Sequence, residues 1–197
     1  MNLIDIRRNL AYRITDPIVG ILSKSGITPN ALTFINLALN IGAAFIIATG
    51  HFIIGGVLVL VAGLFDLLDG ALARFIKQST RFGAILDSVA DRISEAAIFC
   101  GLLVWYIPQQ ATSLEIVLIF VVLIGSFLVS YIRARAEGLG WQCQVGLFTR
   151  AERVIVLAIG LLINQIFVAL CILVVFVFIT VVQRLVYLWK QGKIKGD

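Results

Sequence analysis

The run Phe52-Ile-Ile-Gly-Gly-Val-Leu-Val-Leu-Val-Ala-Gly-Leu-Phe-Asp66-Leu-Leu-Asp69-Gly70-Ala-Leu-Ala73-Arg74-Phe75 is apolar for fourteen residues and then carries two aspartates within one helical turn. It is long enough to cross hydrocarbon as a helix, which takes about 20 residues. A charge near hydrocarbon costs at least ~2.5 kcal/mol unless something compensates it. Eight residues beyond Arg74, Gly83-Ala-Ile-Leu-Asp87-Ser-Val-Ala-Asp91 adds two more carboxylates at the start of another apolar run. The i,i+3 spacing of Asp66 and Asp69 puts both on one helical face, and the i,i+4 spacing of Asp87 and Asp91 does the same on the next helix. Two such helices joined by a short turn direct four oxygen donors into one pocket, the ligation that hard divalent cations require.

The rest of the chain sets this cluster in a membrane. Its 197 residues are 60% hydrophobic and only 14% charged, with a mean hydropathy of +1.04, far more apolar than a soluble domain. Apolar runs fall at about 31–49, 52–75, 84–107, 114–137, 151–168 and 168–188, each near the length of a membrane helix. The last two are nearly continuous, and the polar pair Asn164-Gln165 marks the turn between them. The expected fold is all-α, a single domain over 1–197 built on a bundle of six transmembrane helices. A membrane β-barrel is excluded, because the runs lack period-two alternation.

Charge placement tests that topology. With six spans, both termini and the segments near 74–83 and 133–153 share one side. All 16 Lys and Arg fall there: Arg7, Arg8, Arg13, Lys24, Arg74, Lys77, Arg81, Arg92, Arg133, Arg135, Arg150, Arg153, Arg184, Lys190, Lys193 and Lys195. The connections at Gly50-His51, Pro108 to Glu115 and Asn164-Gln165 carry none. By the positive-inside rule the basic side, with the aspartates and both termini, is cytoplasmic. A net charge of +5 is then explained by topology and anionic headgroups rather than by nucleic acid.

The first 25 residues are not a cleavable signal peptide, because Arg7, Arg8, Arg13 and Asp16 interrupt any apolar core. Leu3, Ile6, Leu10 and Ile14 recur at helical spacing, which predicts an amphipathic helix on the cytoplasmic surface, ended by Pro17. Cys100 and Cys171 are expected to be buried in helices, with Cys143 alone in a cytoplasmic loop. No C-x-x-C suggests zinc. His51 reads as an interfacial polar residue, and Trp105, Tyr106, Tyr187 and Trp189 as belt aromatics.

Four carboxylates without His or Cys select Mg²⁺ or Mn²⁺, and two such ions per site balance their charge. A two-metal site clamps phosphates for in-line displacement. A pocket at the membrane face that opens into lipid calls for a nucleotide diphosphate esterified to a lipid. Gly70 and Gly83 fit close approach of a nucleotide to the backbone, or else close helix packing. Arg74, one turn beyond Gly70, is a phosphate partner or a snorkelling arginine. Arg133, Arg135, Arg150 and Arg153 flank one loop, and arginine forks bind phosphate bidentately. They favour an acceptor that already carries a phosphate, unless they only report topology. A cation transporter lined by the aspartates is the non-enzymatic alternative, disfavoured because the carboxylates lie at one face.

Asp66-x2-Asp69-Gly70-x2-Ala73-Arg74-x8-Gly83-x3-Asp87-x3-Asp91 resembles the signature of the CDP-alcohol phosphotransferases, with all eight specified residues in place over 26 positions. The resemblance implies that Asp66, Asp69 and Asp87 ligate the metals, and that Asp91 is the general base and also touches a metal. It implies a nucleotide role for Gly70, Gly83 and Ala73. Thr80 to Ser94, Ser130 to Gly140 and Phe148 to Arg153 are similar to the bacterial phosphatidylinositol-phosphate synthase branch. Those enzymes join CDP-diacylglycerol to inositol phosphate and release CMP. In Gly26-Ile-Thr-Pro-Asn30-Ala-Leu-Thr33 that branch places nucleotide-side contacts, so Asn30, Thr33, Asp69, Arg74 and Thr80 join the expected CDP-lipid set. A homodimer is implied as well. Two departures stand out: a lysine usual in the branch is Arg133 here, and the usual Arg-Pro-Glu-Arg reads Arg150-Ala-Glu-Arg153. Glycerol 3-phosphate as acceptor, or an archaeal ether-lipid donor, are the nearest alternatives.

Overall fold

The computed structural model describes residues 18–24, 26–76, 80–109 and 113–195. Its long elements are helices: α1 (Pro29–Ala48), α2 (Phe52–Phe75), α3 (Arg81–Tyr106), α4 (Ser113–Gly138), α5 (Arg150–Leu162) and α6 (Ile166–Lys195), with a 3-10 turn at Ile107–Gln109. Among the described residues there is no strand. The first four helices follow the expected runs closely, whereas α5 stops at Leu162 and α6 extends to Lys195. The chain turns between them at Asn164, whose φ is +54°. Asparagine tolerates left-handed backbone, so the polar pair marks this turn for a conformational reason too.

By length and composition α1, α2, α4 and α6 are able to cross a membrane. The six spans expected from the apolar runs are four on this criterion. α3 departs from it because Arg81, Asp87, Asp91, Arg92 and Glu95 crowd its first 15 residues. α5 has 13 residues, about 20 Å of helix at 1.5 Å per residue. The exterior is apolar all round, with Ile21 at 73% exposure, Phe45 at 70% and Phe82 at 66%. Soluble monomers keep such patches small, so this is a membrane protein. The surface helix read over the first residues, including Arg7, Arg8 and Arg13, falls on 1–17, outside the described residues. Ile18 to Leu22 are helical, and Val19 packs with Leu32, Leu68 and Leu72.

α1 packs on both α2 and α3, α2 on α5, α5 on α6, and α6 on α4. Ile47, Val59, Phe99, Leu102, Val122, Leu161 and Leu170 form a core to which all six helices contribute. In lipid, helices associate through close packing rather than a hydrophobic drive. Gly101 of α3 accordingly lies so near the Ala44 carbonyl of α1 that no side chain fits between them.

The segment between α4 and α5 is pinned to α6. Phe148 N–H donates to Thr180 Oγ1 at 3.1 Å and Leu147 N–H to Gln183 Oε1 at 3.0 Å. Arg184 Nε donates to the Val145 carbonyl at 3.0 Å, and its Nη1 to the Val129 carbonyl. Cys143 lies within this segment, in the loop as expected, and is fully buried there. Cys100 corrects the expectation of burial: it is exposed on α3, where a small apolar thiol suits lipid.

Candidate active site

Thr33 and Asn36 of α1 reach across to the acidic turn of α2. Thr33 Oγ1 donates to Asp69 Oδ2 at 3.0 Å, and Asn36 Nδ2 to Asp66 Oδ1 at 3.3 Å. Asn36 is itself held by Asn40, whose Nδ2 donates to Asn36 Oδ1 at 2.8 Å and to its carbonyl at 3.0 Å. Sequence reasoning missed both asparagines. Their signal was two amides one turn apart in an apolar helix, where a buried polar group needs a partner.

One carboxylate oxygen each of Asp66, Asp69 and Asp87 lies within 4.8 Å of the others. Oxygens in one Mg²⁺ shell stand at most ~4.2 Å apart, so small side-chain rotations bring this all-oxygen set to a divalent cation. Asp91 stands outside the group. Its Oδ1 is 2.7 Å from Arg150 Nη1, and the same nitrogen is 2.7 Å from Asp66 Oδ1. Of the four aspartates, three converge and the fourth is tied to them through an arginine.

Two cavities open from this cluster. The first, of about 220 Å³, is lined by Asn30 and Thr33 of α1, Asp69, Gly70, Ala73 and Arg74 of α2, and Thr80, Gly83 and Asp87 at the start of α3. Every residue expected on the nucleotide side faces it. Thr80 caps α3 by accepting the Gly83 N–H at 2.9 Å. A Cβ on Gly83 would meet Thr80 Oγ1 at 2.9 Å and Asn30 Oδ1 at 3.2 Å, both cavity-lining groups. A Cβ on Gly70 would meet only Arg74 Nη1, at 3.4 Å. Among the described residues no helix packs on Gly70, which favours the nucleotide reading there over close helix packing.

The second cavity, of about 430 Å³, shares Asp87 with the first and adds Asp91, Arg92, Arg133, Arg150, Arg153 and Arg184. Arg135 does not line it and is exposed on α4. Residues two apart on a helix do not share a face, so Arg133 and Arg135 were never able to serve one site. Arg153 is 3% exposed and forks onto Glu95, Nε to Oε1 at 2.8 Å and Nη2 to Oε2 at 3.0 Å. Its guanidinium is committed to that pair. Arg92 and Arg184, counted from sequence only as topology signals, join the cavity instead.

Residues 26–188 match the family model of the CDP-alcohol phosphatidyltransferases. The chain belongs to that family. It is therefore a membrane-integral transferase. It is 35% identical over 188 residues to a phosphatidylinositol phosphate synthase of Mycobacteroides abscessus, covering 91% of this chain and 86% of that one. The crystal structure of Mycobacterium tuberculosis phosphatidylinositol phosphate synthase with CDP-DAG bound superposes with a TM-score of 0.81 at 36% identity, over 90% of this chain and 94% of that chain. The same enzyme in complex with manganese and citrate gives 0.80 at 35% identity, over 89% and 88% of the two chains. Together with the convergent aspartates, this likeness supports divalent-metal binding.

Proposed function

We propose that the protein transfers the phosphatidyl group of CDP-diacylglycerol to a hydroxyl of inositol phosphate, giving phosphatidylinositol phosphate and CMP. The observation that carries this reading is the pair of cavities meeting at Asp87, one lined by the signature glycines and the other by arginines. The similarity to phosphatidylinositol phosphate synthases supports the choice of acceptor.

In this reading the nucleotide lies against Gly70, Ala73 and Gly83, beside Asn30, Thr33 and Thr80, with Arg74 at its diphosphate. Asp66, Asp69 and Asp87, joined by Asp91, would hold two divalent ions, Mg²⁺ or Mn²⁺, which would neutralise charge on the diphosphate and the departing oxygen. The acceptor hydroxyl oxygen bonds to the β-phosphorus as the bond from that phosphorus to the bridging oxygen breaks. CMP departs with the bridging oxygen, and the hydroxyl proton passes to Asp91. Arg150 orients the Asp91 carboxylate, and Arg133 and Arg150 meet the phosphate of the acceptor.

The chain acts as a single membrane domain. All six helices cross the bilayer, with both cavities and both termini on the cytoplasmic side, and the enzyme works as a homodimer. The test is CMP release from CDP-diacylglycerol in detergent with inositol phosphate, glycerol 3-phosphate, inositol and serine as acceptors. Inositol phosphate should dominate. Preference for glycerol 3-phosphate would reassign the acceptor, and no CMP with any of them would refute the transfer.

A further inference from the structure

Asn36 and Asn40 stand one turn apart on α1, are 0% and 5% exposed, and occupy none of the eight signature positions. Phe34, Ile35 and Ile41 beside them in sequence are exposed, so both amides sit in a helix otherwise built for hydrocarbon. A buried amide is costly unless it is hydrogen-bonded, and leucine, of similar size, carries no such cost. What the two amides bind therefore decides what they do there.

Their hydrogen bonds run in one direction. An ionised carboxylate only accepts, so Asn36 has to turn its Nδ2 toward Asp66 Oδ1, 3.3 Å away, and its own Oδ1 elsewhere. That buried oxygen needs a donor. Asn40 Nδ2 supplies it at 2.8 Å and is steadied by a second bond, at 3.0 Å, to the Asn36 carbonyl. Asn40 thus sets which way the Asn36 amide faces, and Asn36 in turn holds one oxygen of Asp66. Arg150 Nη1 reaches the same Oδ1 from α5, at 2.7 Å. Asp66 is gripped from two helices by one oxygen, and Oδ2 receives neither of these donors. A carboxylate held in this way keeps one orientation toward Asp69 and Asp87, its partners in the convergent group.

We propose that Asn36 is a positioning residue for the divalent cation, holding Asp66 in its ligating orientation, and that Asn40 acts through it by fixing the direction of its amide. The inference rests on the proposed reading that Asp66 ligates the ion. Polar side chains that merely join two membrane helices would govern stability and leave metal affinity alone.

The experiment titrates Mn²⁺ into purified metal-free protein in detergent, with free Mn²⁺ read by electron paramagnetic resonance, and records the metal-free melting temperature of each variant. Groups that hold a metal's ligands are worth on the order of 10- to 100-fold in affinity. Asn36→Leu should weaken Mn²⁺ binding by a factor in that range while its metal-free melting temperature stays close to wild type. Asn40→Leu should weaken binding as well, although Asn40 bonds to no carboxylate, and the double variant should be no worse than Asn36→Leu alone. Turnover of Asn36→Leu should return toward wild type at saturating Mn²⁺. Wild-type Mn²⁺ affinity in Asn36→Leu overturns the inference, and if that variant does not fold, wild-type affinity in Asn40→Leu does so. Losses that add in the double variant break the relay from Asn40. A lower metal-free melting temperature with unchanged Mn²⁺ affinity assigns the pair to helix packing alone. Asp66→Asn separates the two levels: wild-type affinity there defeats the ligand reading itself, whereas a loss there with none in Asn36→Leu removes this inference only.

Discussion

Arg150 Nη1 stands 2.7 Å from both Asp66 Oδ1 and Asp91 Oδ1, so one cation links the three grouped carboxylates to the one outside them. This separates the aspartates by role. Asp66→Asn, Asp69→Asn or Asp87→Asn each removes a charged donor from a set of three, and titration should show Mn²⁺ binding lost together with turnover; retained affinity in all three would count against ligation. Asp91→Asn should keep CDP-diacylglycerol binding while turnover falls at least ~10²-fold, a typical general-base contribution. Near-wild-type turnover would remove its role as base. Arg153 calls for a different outcome. Its bond to Glu95 is buried, and stranding one partner of a buried pair costs about 3–5 kcal/mol. Arg153→Gln should lower the melting temperature sharply, and Arg153→Gln with Glu95→Gln should recover much of it. A selective rise in acceptor KM without loss of stability would show that the pair does not hold the fold.

At the level of elements, α6 acts on the site without lending it a carboxylate. Its Thr180 and Gln183 accept the backbone N–H groups of Phe148 and Leu147, immediately before Thr149 and Arg150. Thr149 N–H then donates to Glu152 Oε2 at 2.7 Å, half of a capping box that starts α5 and fixes where Arg150 emerges. Thr180→Val leaves the Phe148 N–H unpaired at a cost of about 1–3 kcal/mol. It should raise the acceptor KM several-fold more than the donor KM, and Thr180→Ser should restore both; equal changes in the two would mean the strap only stabilises. These elements also show what sequence was able to disclose. The aspartates and cavity glycines were legible because one helix turn fixes their relative direction. The capping box was there to read as Thr149-x-x-Glu152 and was missed. The arginines were legible only in part: Arg133, Arg150 and Arg153 line the cavity, but the pairing of Arg153 with Glu95 and of Arg184 with Val129 and Val145 spans long stretches of chain, and local spacing carries no record of it.

For the whole molecule, the decisive question is whether α3 and α5 cross the bilayer, since neither qualifies on length and composition alone. α5 is about 20 Å long against ~30 Å of hydrocarbon, but Gly140 to Thr149 lead into it, and the second cavity occupies its N-terminal end. The bundle thus needs only a short fifth helix to span what remains. Three exposed positions report the outcome: His51 between α1 and α2, Leu139 after α4, and Ile163 between α5 and α6. In an otherwise cysteine-free background, His51→Cys and Ile163→Cys should react with a membrane-impermeant maleimide in intact cells, and Leu139→Cys only after lysis. If α3 does not cross, only two spans separate His51 from Leu139, and His51→Cys and Leu139→Cys carry the same label. If α5 does not cross, Ile163→Cys behaves like Leu139→Cys. Either result would break the even count that puts every Lys and Arg on one side, and with it the placement of the cavities at the cytoplasmic face.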